Sequence, residues 1–516
     1  MVQWPFNHKT HSIPDVMKKT SLPKILVACA LMMAWHMPSL TAQSTYRLTL
    51  DEVVELAQSD APDALLASTR WKRDYWTFRS FQADFRPNIL LNASTLPLFN
   101  RSIEPITLST GEEAYVARAY MDNQVNLSLQ QDVALTGGTV YFGSGLGRLD
   151  VFETKDVQAS RSYLSNPINL GFVQPLFQFN AMKWRKKIEP VAYRESEKMY
   201  SEQMEAVASR AATLFFNLMT SQLDAVAAQQ DKDNADTLLV LSRGRFEVGK
   251  IAETDLLQVE LNAMDAETRL AEAQLNMQTQ TEQLRDFLDL QGDIQFELIP
   301  PYDLPSVLID PDQALAYAQQ NRSAMVAYDR RLLEANREVE RAKGDAGITA
   351  QLEGRFGLTQ TGSQIDQVYS DLIDQEVVSF GISVPIADWG KSRARREVAL
   401  SNLELEQRQI EQERENFKRT VVLKAQQFDL VRRNAEIASR YLESARKRYE
   451  ITYQRYLIGK ISVTDLNLAL ADQENARRGY LQAVRDFWMA LYEIRGLTLY
   501  DFTKDQSLML IPPVGE

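Results

Sequence analysis

The side chains best suited to catalysis and zinc binding, imidazole and thiol, are confined to one end of this 516-residue chain. His8, His11, His36 and the single Cys29 all precede residue 43. That segment reads as an export signal: Met17-Lys18-Lys19 opens a basic stretch reaching Lys24, an apolar run from Ile25 to Trp35 follows, and small residues at Thr41-Ala42 precede Gln43. Residues 1–16 resemble neither a basic leader nor a fold element, which leaves Met17 as an alternative start. Leu26-Val27-Ala28-Cys29 also fits a lipoprotein cleavage box, although only four apolar residues separate Lys24 from Cys29. A chain cleaved after residue 42 holds no histidine or cysteine. Ser-His-Asp triads, thiol chemistry, disulfides and zinc sites with nitrogen or sulfur ligands are then excluded, and no cofactor or metal is expected. Removing residues 1–42 takes away four of the 57 basic and one of the 69 acidic residues and leaves a net charge of −15. So acidic a chain is a poor partner for a polyanion, so no nucleic-acid partner is expected.

The chemistry left is that of carboxylates, guanidiniums and amines, and these recur in one conspicuous motif. Arg245-Phe-Glu-Val-Gly249-Lys250-Ile251-Ala-Glu-Thr254-Asp255-Leu256 returns as Arg455-Tyr456-Leu-Ile-Gly459-Lys460-Ile461-Ser-Val-Thr464-Asp465-Leu466, with seven identities in twelve at an offset of 210. Each glycine follows a helical stretch with arginine in its last turn, the setting of a left-handed C-terminal cap. Each Thr-Asp pair opens the next helix, where hydroxyl and carboxylate suit the free N–H groups. Two readings of the aspartates stay open: helix caps, or, if several hairpins ring an axis, a tip closed by cross-hairpin Asp–Arg pairs and able to select cations. In the second reading Lys250 and Lys460 are exposed to a docking partner. Elsewhere the acids are spread along helix faces, with no paired-carboxylate constellation to support a hydrolase.

The elements that position these motifs form an internal repeat. The offset of 210 also aligns the stretches around Pro175 and Pro385, whereas the Leu50–Ala57 segment aligns with the stretch ending at Ala318 at an offset of 261. The difference places 51 extra residues in the first copy, within about 95–165. The expected organisation is a signal peptide (1–42), repeat 1 (43–298), a proline-rich linker (299–309), repeat 2 (310–500) and a tail (501–516). Each copy reads as an amphipathic helical stretch (about 49–85 and 310–345), alternating strands, a very long helix, a glycine turn and a returning helix. Ile168, Leu170 and Phe172, and in the second copy Val378, Phe380 and Ile382, alternate with small or polar residues, as do Val125, Leu127 and Leu129 in the inserted region. Thr136-Gly-Gly-Thr139 supplies a turn after the last set. Trp184 and Trp389 lie just beyond strand ends, where a membrane-interface aromatic girdle would sit.

The long helices carry heptads: Val421, Phe428, Ala435, Leu442, Tyr449 and Tyr456 share one seam position in copy two, and Tyr200, Val207, Leu214, Leu218, Ala225, Leu239 and Phe246 fall on equivalent positions in copy one. A helix of about 60 residues is about 90 Å long, natural for a structure that bridges a gap. After Gln43 no apolar stretch is long enough for a spanning helix, so a membrane part must be a β-barrel. Pro190, with Leu400 as its counterpart, predicts a helix start or kink in copy one only.

This arrangement resembles the TolC-like outer-membrane efflux protein family. The likeness spans nearly all of the mature chain and rests above all on the paired tip motifs Phe246–Asp255 and Tyr456–Asp465, with Leu48-Thr-Leu50-Asp-Glu, Pro87 and Gln174-Pro175-Leu176-Phe177 in support. It implies a mainly α fold with a β part: long antiparallel coiled-coil helices forming a periplasmic α-barrel, and four strands per chain entering a trimeric twelve-stranded transmembrane barrel. It further implies an outer-membrane location in a Gram-negative cell, contact with outer-membrane lipid, and docking of the tips on a periplasmic adaptor that works with an inner-membrane pump or ABC exporter, in efflux or type I secretion. The protein is then a passive conduit and no enzyme. Two departures stand out. Leu468 occupies a position that often carries a second tip carboxylate, and the 51-residue excess implies a longer external loop or an added strand pair. The main alternative is a periplasmic or secreted coiled-coil structural or adaptor protein without a membrane barrel.

Overall fold

A computed structural model describes residues 44–107, 111–155, 157–292, 294–458 and 460–510, without the side chains of 44–45, 95–98 and 106. The leader with Cys29 and the three histidines, Gly459 and the last six residues lie outside these. In chain order the elements are β1 (Ser44–Leu48), α1 (Leu50–Asp60), α2 (Pro62–Ala83), β2 (Asn88–Thr107), β3 (Glu113–Val133), β4 (Gly138–Phe152), β5 (Ser160–Leu176), α3 (Ala181–Glu247), α4 (Glu253–Phe287), β6 (Ile294–Leu298), α5 (Pro311–Asn321), α6 (Ser323–Gly344), β7 (Thr349–Gly362), β8 (Ile373–Ser383), α7 (Lys391–Leu457), α8 (Val463–Thr498), β9 (Tyr500–Asp501) and β10 (Gln506–Ser507).

The first helical stretch of each copy is two helices rather than one. Thr49 and Glu52 form a reciprocal capping box at the start of α1. Ala61 then turns extended, with ψ 142°, because the following Pro62 disfavours the helical region for the residue before it. Arg322, at the equivalent place in copy two, breaks α5 from α6 in the same conformation without a proline. The long helices α3 and α7 are 67 residues each and start 210 residues apart, so the repeat is kept to the residue over about 100 Å. Pro190 lies inside α3, which begins nine residues earlier; the proline does not mark the helix start.

Heptad positions Val421, Phe428, Ala435, Leu442 and Tyr456 of α7 are buried, as are Tyr200, Val207, Leu218 and Ala225 of α3. In copy one the buried face is wider than a seam: Ala208, Ala211, Ala212, Phe215, Phe216 and Met219 are also enclosed, because α1, α2 and α8 all pack on that part of α3. A short parallel pair, β1 with β6, ties the start of repeat 1 to its end, with Leu48 beside Leu298. At this junction Arg495 of α8 places Nε 3.0 Å from the buried Glu205 and Nη1 3.5 Å from the buried Asp501. The linker 299–309 has no helix or strand.

Six antiparallel strands form one sheet in the order β2-β3-β4-β5-β7-β8. Four come from copy one and two from copy two, so the expectation of four strands per chain is corrected to six. The inserted residues form the added strand pair, β3 and β4, joined by the turn at Gly137, whose φ of +78° needs glycine. Alternation sends the apolar residues to one face. Leu91, Leu127, Leu129, Phe142, Ile168, Leu170, Phe356 and Val378 are exposed on that face, with Ile89 68% and Phe380 59% accessible at the two edges. The other face is polar or small: Asn126, Ser128, Gly143, Gly145, Asn169, Gly171 and Gly357 line it. There Arg355 donates to the Tyr141 hydroxyl at 3.3 Å. Tyr141 lies so close over Gly171 that an added Cβ would come within 2.3 Å of its ring.

Candidate functional site at the hairpin tips

Each long helix turns into its return helix at the end farthest along the chain from the sheet, and the repeated motif builds both turns. In copy one Gly249 takes φ +69°, its N–H donates to the Phe246 carbonyl at 2.8 Å, and the Lys250 N–H donates to the Arg245 carbonyl at 2.8 Å. These are the two bonds of a left-handed helix cap that satisfies the last free carbonyls. In copy two the Lys460 N–H donates to the Arg455 carbonyl at 3.0 Å, the counterpart of the second bond. Gly459 lies outside the described residues.

The start of the return helices differs from expectation. In copy two the N-cap is Ser462, whose hydroxyl accepts from the Asp465 N–H at 3.2 Å while the Asp465 carboxylate accepts from the Ser462 hydroxyl at 2.7 Å and from its N–H at 3.3 Å. The Ser462 hydroxyl and amide hold Asp465 below the usual carboxylate range. Thr464 sits inside the first turn and caps nothing. In copy one the N-cap position is Ala252, which has no side-chain oxygen, and neither Thr254 nor Asp255 takes over. Asp255, Lys250, Lys460 and Arg455 are exposed, with no side-chain partner among the described residues.

The two tips meet through Arg245. Its Nη2 donates to the Leu457 carbonyl of the second hairpin at 3.3 Å, and its guanidinium lies 5.2 Å from the centre of the buried Tyr456 ring. Within one chain the tips are therefore joined by Arg245 on a carbonyl and a ring, and no Asp–Arg pair forms there among the described residues. Behind this contact the hairpins enclose a cleft of about 360 Å³ lined by Asp231, Arg269, Tyr449, Tyr456 and Glu474 among others. Burial and the adjoining Glu474 carboxyl push Asp231 up to about 7, with Arg269 and Arg477 pulling the other way. Sequence reasoning missed this pair: Asp231 flanks the heptad seam and Glu474 is on another helix, so nothing in the pattern joins them. Ser462 was readable, since Ser-Val-Thr-Asp has the spacing of a capping box.

At the opposite end of the long helices, Trp389 precedes the α7 N-cap with φ +54° and is 98% exposed beside Ile386 at 97%. Trp184, in the first turn of α3, is half-buried with the Lys187 ammonium 4.8 Å from its ring centre. No described helix is long and apolar enough to cross a membrane.

Among solved structures the chain resembles the CmeC outer membrane channel of Campylobacter jejuni, with a TM-score of 0.62 at 17% identity over 89% of this chain and 87% of that one. It resembles the outer membrane protein VceC of Vibrio cholerae with a TM-score of 0.59 at 14% identity, over 87% of this chain and 96% of that one. The open-state MtrE outer membrane channel of Neisseria gonorrhoeae gives 0.58 at 14% identity, over 87% and 88%. No curated protein matches at a significant level. A family profile described as outer membrane efflux protein matches residues 149–288 and 314–498, one segment in each copy of the repeat. Because that match takes in more than half of the sequence, the chain belongs to the outer membrane efflux protein family.

Proposed function

We propose that three copies of this chain form a passive channel-tunnel that carries exported substrates from a periplasmic adaptor protein to the cell exterior, with an inner-membrane pump or ABC exporter supplying the energy. The observation that carries this reading is the sheet's exposed apolar face, continuous over six strands, on the same chain as two equal helices of about 100 Å. A soluble coiled-coil adaptor has no use for such a face.

In this assembly Trp389, Ile386 and Trp184 sit at the periplasmic surface of the bilayer. The tips gate the far end: Arg245 on Leu457 and Tyr456 holds the two hairpins of a chain together, and the exposed Arg455, Asp255 and Asp465 face neighbouring copies. Lys250 and Lys460 are offered to the adaptor. Any cation block rests on Asp465 and Asp255 alone, since Leu468 replaces the second carboxylate. The channel performs no chemistry of its own.

Isolated outer membranes, run on gels with and without boiling, test the proposal. Wild-type protein is expected in that fraction, migrating as a mild-detergent-resistant oligomer that falls to monomer on boiling. Recovery in the soluble periplasmic fraction would overturn it.

A further inference from the structure

The sheet ends on two open edges. Among the described residues strand β2 is paired only with β3 and strand β8 only with β7, yet both carry outward apolar residues, Ile89 and Leu91 on one, Val378, Phe380 and Ile382 on the other. Hydrocarbon does not tolerate a row of unpaired N–H and C=O groups, so both edges must be paired within the membrane. Self-closure of six strands would leave a backbone radius of about 6 Å, too narrow for a lumen and below the smallest barrels whose side chains fill the interior. Six is also an even number, so β8 of one copy runs antiparallel to β2 of the next and continues the alternation without a fault.

The register of that junction follows from the register inside the sheet. A row of directly paired residues runs Ile89, Leu129, Phe142, Leu170, Phe356 and ends on Glu376. Pairing the next copy's Ile89 with Glu376 would set an apolar side chain beside a carboxylate and give strands with no tilt, which a closed barrel does not allow. The apolar residues of β8 on the same face are two, four and six positions nearer its periplasmic end. A shift of four gives a tilt of about 25°. A shift of six moves the register about 20 Å along the strand for about 29 Å around the wall, a tilt of about 35°, which falls in the range of membrane barrels. A shift of eight reaches Val384, past the end of β8.

We infer that β8 of one copy pairs with β2 of the next with Ile382 beside Ile89, Leu91 beside Phe380 and Ala93 beside Val378, closing three copies into an eighteen-stranded barrel. The inference rests on the trimeric channel proposed above and replaces the twelve strands implied by family resemblance. At that tilt the backbone radius is about 17 Å, against about 11 Å for twelve strands.

Cysteine pairing in the outer membrane tests it without background, because the sequence after residue 29 contains no cysteine. Directly opposed antiparallel residues have Cα separations of about 4.5–5.5 Å, within the range of a disulfide. Oxidised L91C/F380C should shift on boiled, non-reducing gels to covalent dimer and trimer and stop at trimer, as should A93C/V378C. The single variants and the unshifted pair L91C/D374C should stay monomeric. Cross-linking of L91C/D374C alone overturns the register. A fast-migrating internally linked monomer means self-closure, and unlinked protein that still shows the wild-type heat-sensitive oligomer means the edges do not meet; either overturns the barrel. Absence of that oligomer in wild type would instead refute the underlying channel proposal.

Discussion

Replacing Arg245 by alanine removes the guanidinium that, among the described residues, hydrogen-bonds one hairpin tip of a chain to the other, and the structure sets the size of the effect. A guanidinium hydrogen bond contributes about 1.5–3 kcal/mol when short and shielded. At 3.3 Å and half-exposed, about 1 kcal/mol is the better figure. The guanidinium 5.2 Å from the Tyr456 ring adds about 0.5–1 kcal/mol. The sum, about 1.5–2 kcal/mol per chain, shifts the balance between docked and undocked tips about 10–30-fold. In planar bilayers Arg245→Ala should therefore open more often and to higher conductance than wild type. Tyr456→Phe keeps the ring face and should behave as wild type, while Tyr456→Ala should fall in between. If Arg245→Ala keeps the wild-type closed state under the same voltage and salt, the contact is a passive cap and the gating argument fails.

Two further outcomes follow from buried charge. Asp231 is raised to about 7 by burial and the Glu474 carboxyl, against about 3.9 when free, so the docked tips bind the extra proton between these values. Docking is then strongest in acid and weakens as pH rises from about 4 to about 7. Bilayer conductance should be lowest near pH 4 and rise to a plateau near pH 7, and Asp231→Asn should stay at the low level throughout; an equal pH response in that variant would refute the assignment. At the junction beside the β1–β6 pair, Arg495→Met strands Glu205 and Asp501, both buried, at a cost of about 3–5 kcal/mol. The temperature at which the oligomer dissociates on gels should drop clearly; an unchanged temperature would show that water reaches the pair.

Regularity decided how much of this molecule could be read from its sequence. The two 67-residue helices, their capped turns and the outward apolar residues all follow from short-range periodicities of 3.5 and 2 or from a repeat at a fixed offset. The added strand pair was visible as an excess of 51 residues, but length does not say whether an insertion pairs or loops; the partners of β3 and β4 do. What stayed hidden depends on contacts between distant segments. Phe215, Phe216 and Met219 are buried because α1, α2 and α8 converge on α3, and β1 is a strand only because β6 lies beside it. At the tip, a cap was expected from Thr464, but backbone geometry sets the cap two residues earlier, at Ser462. Arg245 was legible as a tip residue; its carbonyl and ring partners were not.

The inserted pair β3–β4 leaves the chain where it found it, at the end of the sheet away from the long helices, within the span between the end of α2 and the start of α3. A hairpin is thus the smallest unit by which such a wall can grow. Adding one lengthens the circumference by two strand widths per copy while both long helices keep their 67 residues and their starting points 210 apart. The calibre of the opening through the membrane and that of the helical tunnel are accordingly separate dimensions, free to be tuned by different segments of one duplicated gene. In the tunnel the two copies of the repeat remain near-equivalent, whereas in the bilayer they contribute four strands and two. The duplication's pseudosymmetry survives where the protein is built of helices and ends where it is built of strands.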